Sequence, residues 1–122
     1  MIFLDTHILL WLARGDDDVP RPLLEALAEG RKFVTSAVVA CEYVDLHRRG
    51  RFRGGPSFQA VIEGLSLTVL ATPETCWQAV ADLPPIHRDP VDRMLIAHTI
   101  VAGATLATAD RKMRQYPVSL LW

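Results

Sequence analysis

The chain of 122 residues lacks the features that mark zinc proteins, disulfide-bonded proteins and membrane proteins. Its two cysteines, Cys41 and Cys76, lie far apart and belong to no CxxC or Cys/His cluster, which argues against zinc and against a disulfide framework. We expect both cysteines to be buried small hydrophobic residues. No apolar run approaches the roughly 18 residues that a membrane-spanning helix needs, so a membrane protein is not expected.

The chain also has few lysines and a formal net charge close to zero. The formal net charge is -1, so the chain has no overall attraction to nucleic acid, and such a partner must be contacted locally. Only Lys32 and Lys112 are lysines; the other basic residues are arginines, whose planar guanidinium suits phosphate. The N-terminal MIFLDTH lacks positive charge before its acid, which argues against a secretory signal and leads us to expect a cytoplasmic protein.

Short apolar segments alternate with longer segments of helical spacing. The segments that predict strands are MIFL, FVTS, LTVLA, ATLAT and VSLLW. The segments that predict helices cover about 6–13, 20–29, 36–48, 56–64, 73–82 and 90–102. This order predicts an α/β fold: a three-layer α/β/α sandwich with a mostly parallel central sheet of about five strands, forming a single domain over residues 1–122.

Local signals refine this segmentation. Asp89 followed by Pro90 predicts the start of the last long helix. The stretch RRGRFRGGPS at 48–57 is the one linker-like segment, and we expect a mobile loop there. Trp77 and Trp122 are expected in the core. The segment HILLWLA is consistent either with core packing or with a surface for a partner.

Four acidic residues are placed near the carboxyl ends of predicted strands. They are Asp5 at the end of the first strand, Glu42 in the second turn of the helix after FVTS, Asp92 in the first turn of its helix, and Asp110 after ATLAT. Parallel strands deliver their following loops to one edge, so we expect these acids to converge. Two like charges about 4 Å apart cost roughly 4 kcal/mol at an effective dielectric near 20, so such a cluster takes up protons or recruits a cation. Oxygen ligands alone favour Mg²⁺ or Mn²⁺ over zinc.

Three of the four acids, as well as Asp89, also have an interpretation that needs no metal. Asp5 and Asp110 would each cap the helix that follows, a contribution of about 1 kcal/mol. Asp89 is assigned such a capping role, and Asp92 would favour the dipole of the same helix. Glu42 is different, because a solvated helix face does not explain a charge within the apolar segment SAVVACEYV.

At these residues the chain resembles the PIN-domain family, specifically the VapC-like toxins of bacterial toxin and antitoxin pairs. The resemblance is carried by MIFLDTHILLWL, TSAVVACEYV, LPPIHRDPVDRMLIAHTIVAGATLATAD and VSLLW. Within these, HRDPVDRMLIA and LATADR are the specific signals. The family's acidic quartet falls on Asp5, Glu42, Asp92 and Asp110, with Thr108 as a hydroxyl neighbour. Cys41 stands where relatives commonly carry tryptophan, which changes the packing beside the site.

The resemblance implies a Mg²⁺- or Mn²⁺-dependent endoribonuclease that cuts phosphodiester bonds in cellular RNA with metal-activated water. The expected partners are an RNA substrate, a cognate antitoxin that holds the enzyme inactive, and a second copy in a homodimer; no membrane is expected. One or two ions are consistent with this chemistry, and in-line attack would leave a 5′-phosphate and a 3′-hydroxyl. No nucleophile from the protein is required.

Several other side chains are candidates for substrate contacts. Arg88, Arg93 and Arg111 flank the acids and could contact phosphates, although pairing with neighbouring acids is equally consistent. Thr6 and Thr108 are hydroxyl candidates beside Asp5 and Asp110.

The arginine-rich RRGRFR run and the histidines give weaker indications of a functional role. With Phe52 among its arginines, the run would guide or stack RNA, or else form a solvated loop. The histidines show no triad or metal-ligand spacing, and we expect capping, surface or packing roles for them. They are His7, which is the possible exception because it lies close to Asp5, His47, His87 and His98.

Two other functions fit a chain of this length and fold class. A phosphoacceptor receiver domain would carry adjacent acids after the first strand and a lysine near the last, but here Asp5 is followed by Thr6 and His7. A non-catalytic PIN module that binds RNA or protein without cutting would be free to lose its acids. All four acids are present.

Overall fold

The computed structural model describes residues 1–122, in which strands alternate with helices or pairs of helices. The strands are β1 (Ile2–Leu4), β2 (Phe33–Ser36), β3 (Thr68–Leu70), β4 (Thr105–Ala107) and β5 (Ser119–Leu121). The helices are α1 (Thr6–Arg14), α2 (Arg21–Ala28), α3 (Ala37–Arg48), α4 (Phe58–Leu65), α5 (Cys76–Asp82) and α6 (Pro90–Val101). The predicted strands and helices are confirmed, with differences of at most a few residues at their ends. The helix expected to follow Asp110 is a 3₁₀ turn at Met113–Gln115.

All five strands are parallel and lie in the order β3-β2-β1-β4-β5. Every residue of β1 and β2 is buried, as expected for strands covered on both faces by helices, and the predicted three-layer architecture is confirmed. The chain builds the sheet outward from β1 through β2 and β3, then returns to the other side of β1 for β4 and β5. This reversal creates a crevice beyond the carboxyl ends of β1 and β4, where open α/β sheets bind ligands.

The core is built around β1 and the helices that cover it. Side chains of β1, of α1 and of α6 are fully buried, among them Phe3, Leu9 and Ile96. The HILLWLA segment contributes Ile8 to Leu10 and Leu12 to this core, so core packing explains most of its apolar character. No helix combines the length and the apolar character needed to cross a bilayer.

Three expectations about burial are wrong. Trp77 is 60% exposed, because it lies on the outer face of the short helix α5, and Trp122 is 40% exposed at the end of the edge strand β5. The Trp122 ring lies 6.3 Å from that of Trp11 and 4.5 Å from the Arg114 guanidinium, which cover it only partly. Cys41 is exposed on α3, whereas Cys76 is buried as expected.

The segment 48–57 is bound to the body of the protein. Phe52 is only 6% exposed, and its ring centroid lies 4.7 Å from that of Tyr43. The Arg14 guanidinium donates to the carbonyl of Phe52, and the Tyr43 hydroxyl donates to the carbonyl of Pro56 at 2.9 Å. The expectation of a mobile loop is therefore wrong, and Phe52 is not available to stack on RNA.

Replacement of Phe52 tests this anchoring. Phe52→Ala should lower the free energy of unfolding by about 3 kcal/mol, because it removes a buried aromatic ring from its contact with Tyr43. Arg51→Ala is the matched control and should change it by less than about 0.5 kcal/mol, because its side chain is exposed. Urea denaturation followed by circular dichroism measures both. Equal stability of the Phe52 variant and the wild type would show that the segment is not anchored.

Candidate functional site

Asp5 and Thr108 lie side by side at the crevice because the strands that precede them are paired. Leu4 of β1 is in register with Ala107 of β4. The Thr108 hydroxyl donates to Oδ2 of Asp5, and the backbone N–H of Ile8 donates to Oδ1 at 2.9 Å. Asp5 therefore caps α1, as its structural interpretation predicted, and its carboxylate is held at both oxygens while it faces the crevice.

Glu42 reaches the same crevice from the other side of β1. Helix α3 begins directly after β2, which places Glu42 in its second turn, half-buried. The hydroxyl of Thr6, in the first turn of α1, donates to Oε2 of Glu42. The Thr6 hydroxyl is thus committed to orienting Glu42, which does not support a direct contact with substrate.

Helix α6 and the loop after β4 bring the other two acids. Asp89 is the N-cap of α6, as expected: its Oδ1 accepts from the backbone N–H groups of Val91 at 2.8 Å and Asp92 at 3.2 Å. This cap fixes the first turn of α6, which carries Asp92. Asp110 is fixed by the backbone N–H of Lys112, which donates to its Oδ1 at 2.8 Å.

His87 is a member of the site that the sequence interpretation assigned elsewhere. Its Nε2 lies 3.0 Å from Oδ2 of Asp92 and 2.9 Å from Oδ2 of Asp110. Its Nδ1 lies 3.1 Å from the backbone nitrogen of Asp89. A backbone N–H can only donate, so Nδ1 accepts and Nε2 carries the hydrogen that faces the two carboxylates. The one sequence signal was its place within HRDPVDR, since no triad or ligand spacing marked it.

The structure brings the four acids into one cavity of about 180 Å³. We call this cavity the acidic pocket; it is lined by Asp5, Thr6, His7, Glu42, Asp89, Asp92, Asp110 and Met113. Met113 is its one apolar residue. Carboxylates from four separate segments therefore face a common space, as parallel topology predicted.

The acidic pocket holds more negative charge than it can tolerate alone. Burial, together with the charges of Asp89, Glu42 and Asp5, raises the pKa of Asp92 to about 7 against the opposing effect of His87. Burial also raises the pKa of Asp5, against the hydrogen bonds from Thr108 and Ile8. The pocket therefore competes for protons near neutral pH, and a bound cation would relieve this competition.

Asp110 differs because its hydrogen bonds outweigh its burial. Burial acts to raise the pKa of Asp110, but the hydrogen bonds from His87 and from the backbone N–H of Lys112 lower it overall. Asp110 is thus the acid best prepared to remain charged beside a cation.

The donor set fits a hard divalent ion. One oxygen each of Glu42 and Asp92 takes part in no hydrogen bond and is free to bind a cation. Atoms of His87, Asp92 and Asp110 lie within 4.8 Å of one another. Since Nε2 of His87 is a donor in this arrangement, the available ligands are carboxylate oxygens, which Mg²⁺ and Mn²⁺ prefer.

The flanking arginines differ in their availability. The guanidinium of Arg93 donates to the carbonyls of Pro84 and Val80, both at 2.9 Å, and to the Tyr116 hydroxyl at 3.2 Å. Arg93 thus holds the segment between α5 and α6 and is not paired with an acid, and its contact with phosphate stays a prediction. Arg88 and Arg111 are exposed and outside the pocket lining, and their contact with substrate stays a prediction.

The remaining histidines follow their expected roles. His98 is buried, with Nδ1 2.9 Å from the Ser36 hydroxyl. His47 lies 3.1 Å from the carbonyl of Gly55. His7 is exposed and lines the acidic pocket, in agreement with its treatment as the exception.

Comparison with known proteins gives a family and a set of similar folds. The family model described as PIN domain matches residues 2–118. The chain is similar to the structure of VapBC2 from Rickettsia felis bound to a DNA fragment from their promoter, with a TM-score of 0.75 and 20% identity, covering 100% of this chain and 99% of that one.

Two further structures share the fold. One is Mycobacterium tuberculosis VapC20, described as a Sarcin-Ricin loop cleaving toxin, with a TM-score of 0.64, 19% identity and 94% of both chains covered. The other is VapBC-1 from nontypeable Haemophilus influenzae, with a TM-score of 0.66, 19% identity and coverage of 99% of this chain and 97% of that one. No curated protein sequence matches significantly. The predicted resemblance is confirmed in family and in fold.

The raised pKa of Asp92 predicts a pH-dependent response to metal. The folded chain binds this proton more tightly than the unfolded chain, so the contribution of Asp92 to stability declines as the pH rises from 3.8 to about 7. Mn²⁺ should therefore raise Tm by at least about 5 °C near pH 8 and by much less near pH 5.5, as measured by differential scanning fluorimetry.

Asp92→Asn provides the control for this experiment. It should raise the Tm of the metal-free protein near pH 8, because it removes the charge, and it should lose most of the gain from Mn²⁺. An equal gain from Mn²⁺ at both pH values in the wild type would contradict this electrostatic description of the pocket.

The position of His87 predicts a role in holding the ligands. His87→Ala should weaken Mn²⁺ binding about tenfold, because Asp92 and Asp110 lose the donor that they share. His87→Gln should retain part of the affinity through its amide N–H, and His47→Ala, which lies outside the pocket, should retain all of it. Isothermal titration calorimetry measures these affinities, and wild-type affinity in His87→Ala would rule out the role.

Proposed function

Because this chain belongs to the PIN domain family, we propose that it is a Mg²⁺- or Mn²⁺-dependent endoribonuclease and the toxin component of a toxin and antitoxin pair. Membership of this family supports a nuclease. The metal dependence, the RNA substrate and the roles of individual residues are our inferences from the site.

The convergence of Asp5, Glu42, Asp92 and Asp110 in the acidic pocket is the observation that carries this proposal. These acids come from four different segments, so their meeting is a property of the fold rather than of local sequence. Raised pKa values at Asp5 and Asp92 indicate that the cluster is costly without a counter-charge. A charge cluster that costs stability is typical of a functional site.

The four carboxylates would hold the divalent ion, and Thr6, Thr108 and His87 would orient them. When bound, such an ion supplies positive charge that lowers the pKa of a water molecule and offsets the developing charge on phosphate. The role of the protein is to fix the ligands, since Thr108 holds Asp5 and Thr6 holds Glu42. Preorganised ligands need little rearrangement when the substrate arrives.

The nucleophile in this proposal is water. The lining of the acidic pocket contains no serine, cysteine or lysine, and the one hydroxyl there, that of Thr6, donates its proton to Glu42. In-line attack by water on the phosphodiester breaks the bond to the 3′-oxygen of the preceding nucleotide. The products are then a 5′-phosphate and a 3′-hydroxyl.

The partners that we propose are inferred from the descriptions of the similar structures. The VapBC2 and VapBC-1 structures support a cognate antitoxin as a partner, and the description of VapC20 as a Sarcin-Ricin loop cleaving toxin supports a structured RNA as substrate. Exposed apolar side chains such as Leu24, Val44 and Trp77 supply surface for an antitoxin or for a second copy in a homodimer. An RNA target is consistent with activity in the cytoplasm.

The alternative functions have less support. A receiver domain needs a lysine near its acids, but the acidic pocket has none in its lining. A non-catalytic module has no need for four converging carboxylates whose repulsion costs stability. No feature of the site favours either alternative.

Purified protein with Mn²⁺ or Mg²⁺ should cleave RNA, and Asp5→Asn or Asp92→Asn should lower the rate by at least about 100-fold, because each removes a charge that holds the ion. Asp17→Asn is the matched control: Asp17 is exposed and outside the pocket, so this variant should cut at the wild-type rate. Cleavage of an end-labelled RNA measures the rates, and circular dichroism checks the fold.

The chemistry of the new ends gives a second, independent test. Ends with a 5′-phosphate and a 3′-hydroxyl are expected, since attack by the 2′-hydroxyl of the RNA would instead leave a cyclic phosphate. Undiminished cutting by both Asn variants, or cyclic phosphate ends, would refute the proposed mechanism.

A further inference from the structure

A second cavity adjoins the acidic pocket and has the opposite charge. It has a volume of about 370 Å³, and we call it the basic cavity. Its lining is His7, Leu10, Leu46, Arg49, Arg51 and Phe52. His7 lines both cavities, so the two are contiguous at the surface.

The two arginines of the basic cavity are available to a ligand. Arg51 is exposed and its side chain makes no hydrogen bond or ion pair within the protein. Arg49 pairs with Asp45 at 3.0 Å, but their side chains are 54% and 64% exposed. An exposed pair of this kind contributes little and can exchange for another anion.

The backbone presents these arginines in a fixed direction. Arg49 follows the last residue of α3, about 10 Å along the helix axis from Glu42 at a rise of about 1.5 Å per residue. Arg51 precedes Phe52, which is buried and whose carbonyl accepts from Arg14. The cations therefore lie at a set distance from the carboxylates, on a surface anchored to the core.

Because the two cavities carry opposite charges, they are suited to binding different ligands. The acidic pocket repels a phosphate unless a cation is bound there, whereas the basic cavity attracts one directly. A polyanionic chain that reaches the acids past His7 would extend over the basic cavity, because His7 lines both cavities. Leu10, Leu46 and Phe52 form an apolar floor that leaves the guanidinium groups as its main polar contacts.

We infer that the basic cavity binds a backbone phosphate of the RNA strand next to the scissile bond, through Arg49, Arg51 and His7. This inference rests on the proposed function and deepens it, because it assigns the path of the substrate away from the acidic pocket. Contacts of this kind position the strand without reading its sequence. They act on binding rather than on the chemical step.

The test compares Arg49→Ala, Arg51→Ala and the double variant with Arg31→Ala. Arg31 is an exposed arginine that precedes β2, at the opposite edge of the sheet, and it serves as the matched control. Binding of a fluorescein-labelled single-stranded RNA is measured by anisotropy in the Asp92→Asn background, which prevents cleavage during the measurement. Cleavage by the same arginine variants is measured without that substitution.

Each single variant should weaken RNA binding about three- to tenfold, and the slope of log Kd against log salt should fall by about 0.7 for each arginine removed. The value of KM should rise in parallel while kcat stays within about twofold of wild type. Arg51→Lys should restore most of the affinity, since it keeps the charge. Arg31→Ala should behave as the parent protein.

The outcomes separate this inference from the function on which it rests. If the wild type cuts RNA but the double variant binds with unchanged affinity and salt dependence, the basic cavity is not a phosphate site and the nuclease assignment stands. If the double variant lowers kcat and leaves binding intact, the inference also fails. If the wild type neither cuts nor binds RNA, both are overturned.

Discussion

Repulsion between carboxylates in a partly buried pocket is the constraint on which the rest of this structure depends. The strand order brings these charges together, since β1 and β4 are neighbours and α3 and α6 reach the same edge of the sheet. Burial and the neighbouring acids raise the pKa of Asp92 to about 7, so keeping all the acids charged costs free energy that a counter-charge would offset. The fold thereby creates a demand for a divalent cation, and the proposed chemistry follows from meeting that demand.

The structural roles of Asp5 and Asp110, which accept hydrogen bonds from the backbone, are compatible with their proposed roles as metal ligands. Asp5 caps α1 and also faces the pocket, and Asp110 accepts from the backbone of Lys112 while it contacts His87. These hydrogen bonds fix the direction of each carboxylate, and at Asp5 the free energy that stabilises helix α1 also prepares a ligand. Asparagine caps helices as well as aspartate does, which is why an Asp→Asn change can remove a ligand charge and leave the local fold in place.

Much of the fold and the acidic quartet could be predicted from the sequence because their signals are local. Short apolar runs define the buried strands, Asp89 with Pro90 defines the start of α6, and a charge in the apolar helix α3 identifies Glu42. The rest depends on partners that a sequence does not mark. Arg93 binds backbone carbonyls, which have no residue signature, and His87 joins the site only because the chain folds its ring between two acids. Hydrophobicity likewise does not show which face of α5 packs against the rest of the protein. The prediction that Trp77 lies in the core was therefore wrong.

The surface beyond the pocket completes a division of charge, with cations for phosphate next to acids for metal. Both parts matter only if an ion occupies the acidic pocket. The most direct measurement is anomalous diffraction at the manganese edge from crystals of the protein grown with Mn²⁺. A peak bounded by the carboxylates of Asp5, Glu42, Asp92 and Asp110 is the predicted result. A pocket with no peak, or a peak only elsewhere on the molecule, would contradict the claim that these acids converge to hold a metal.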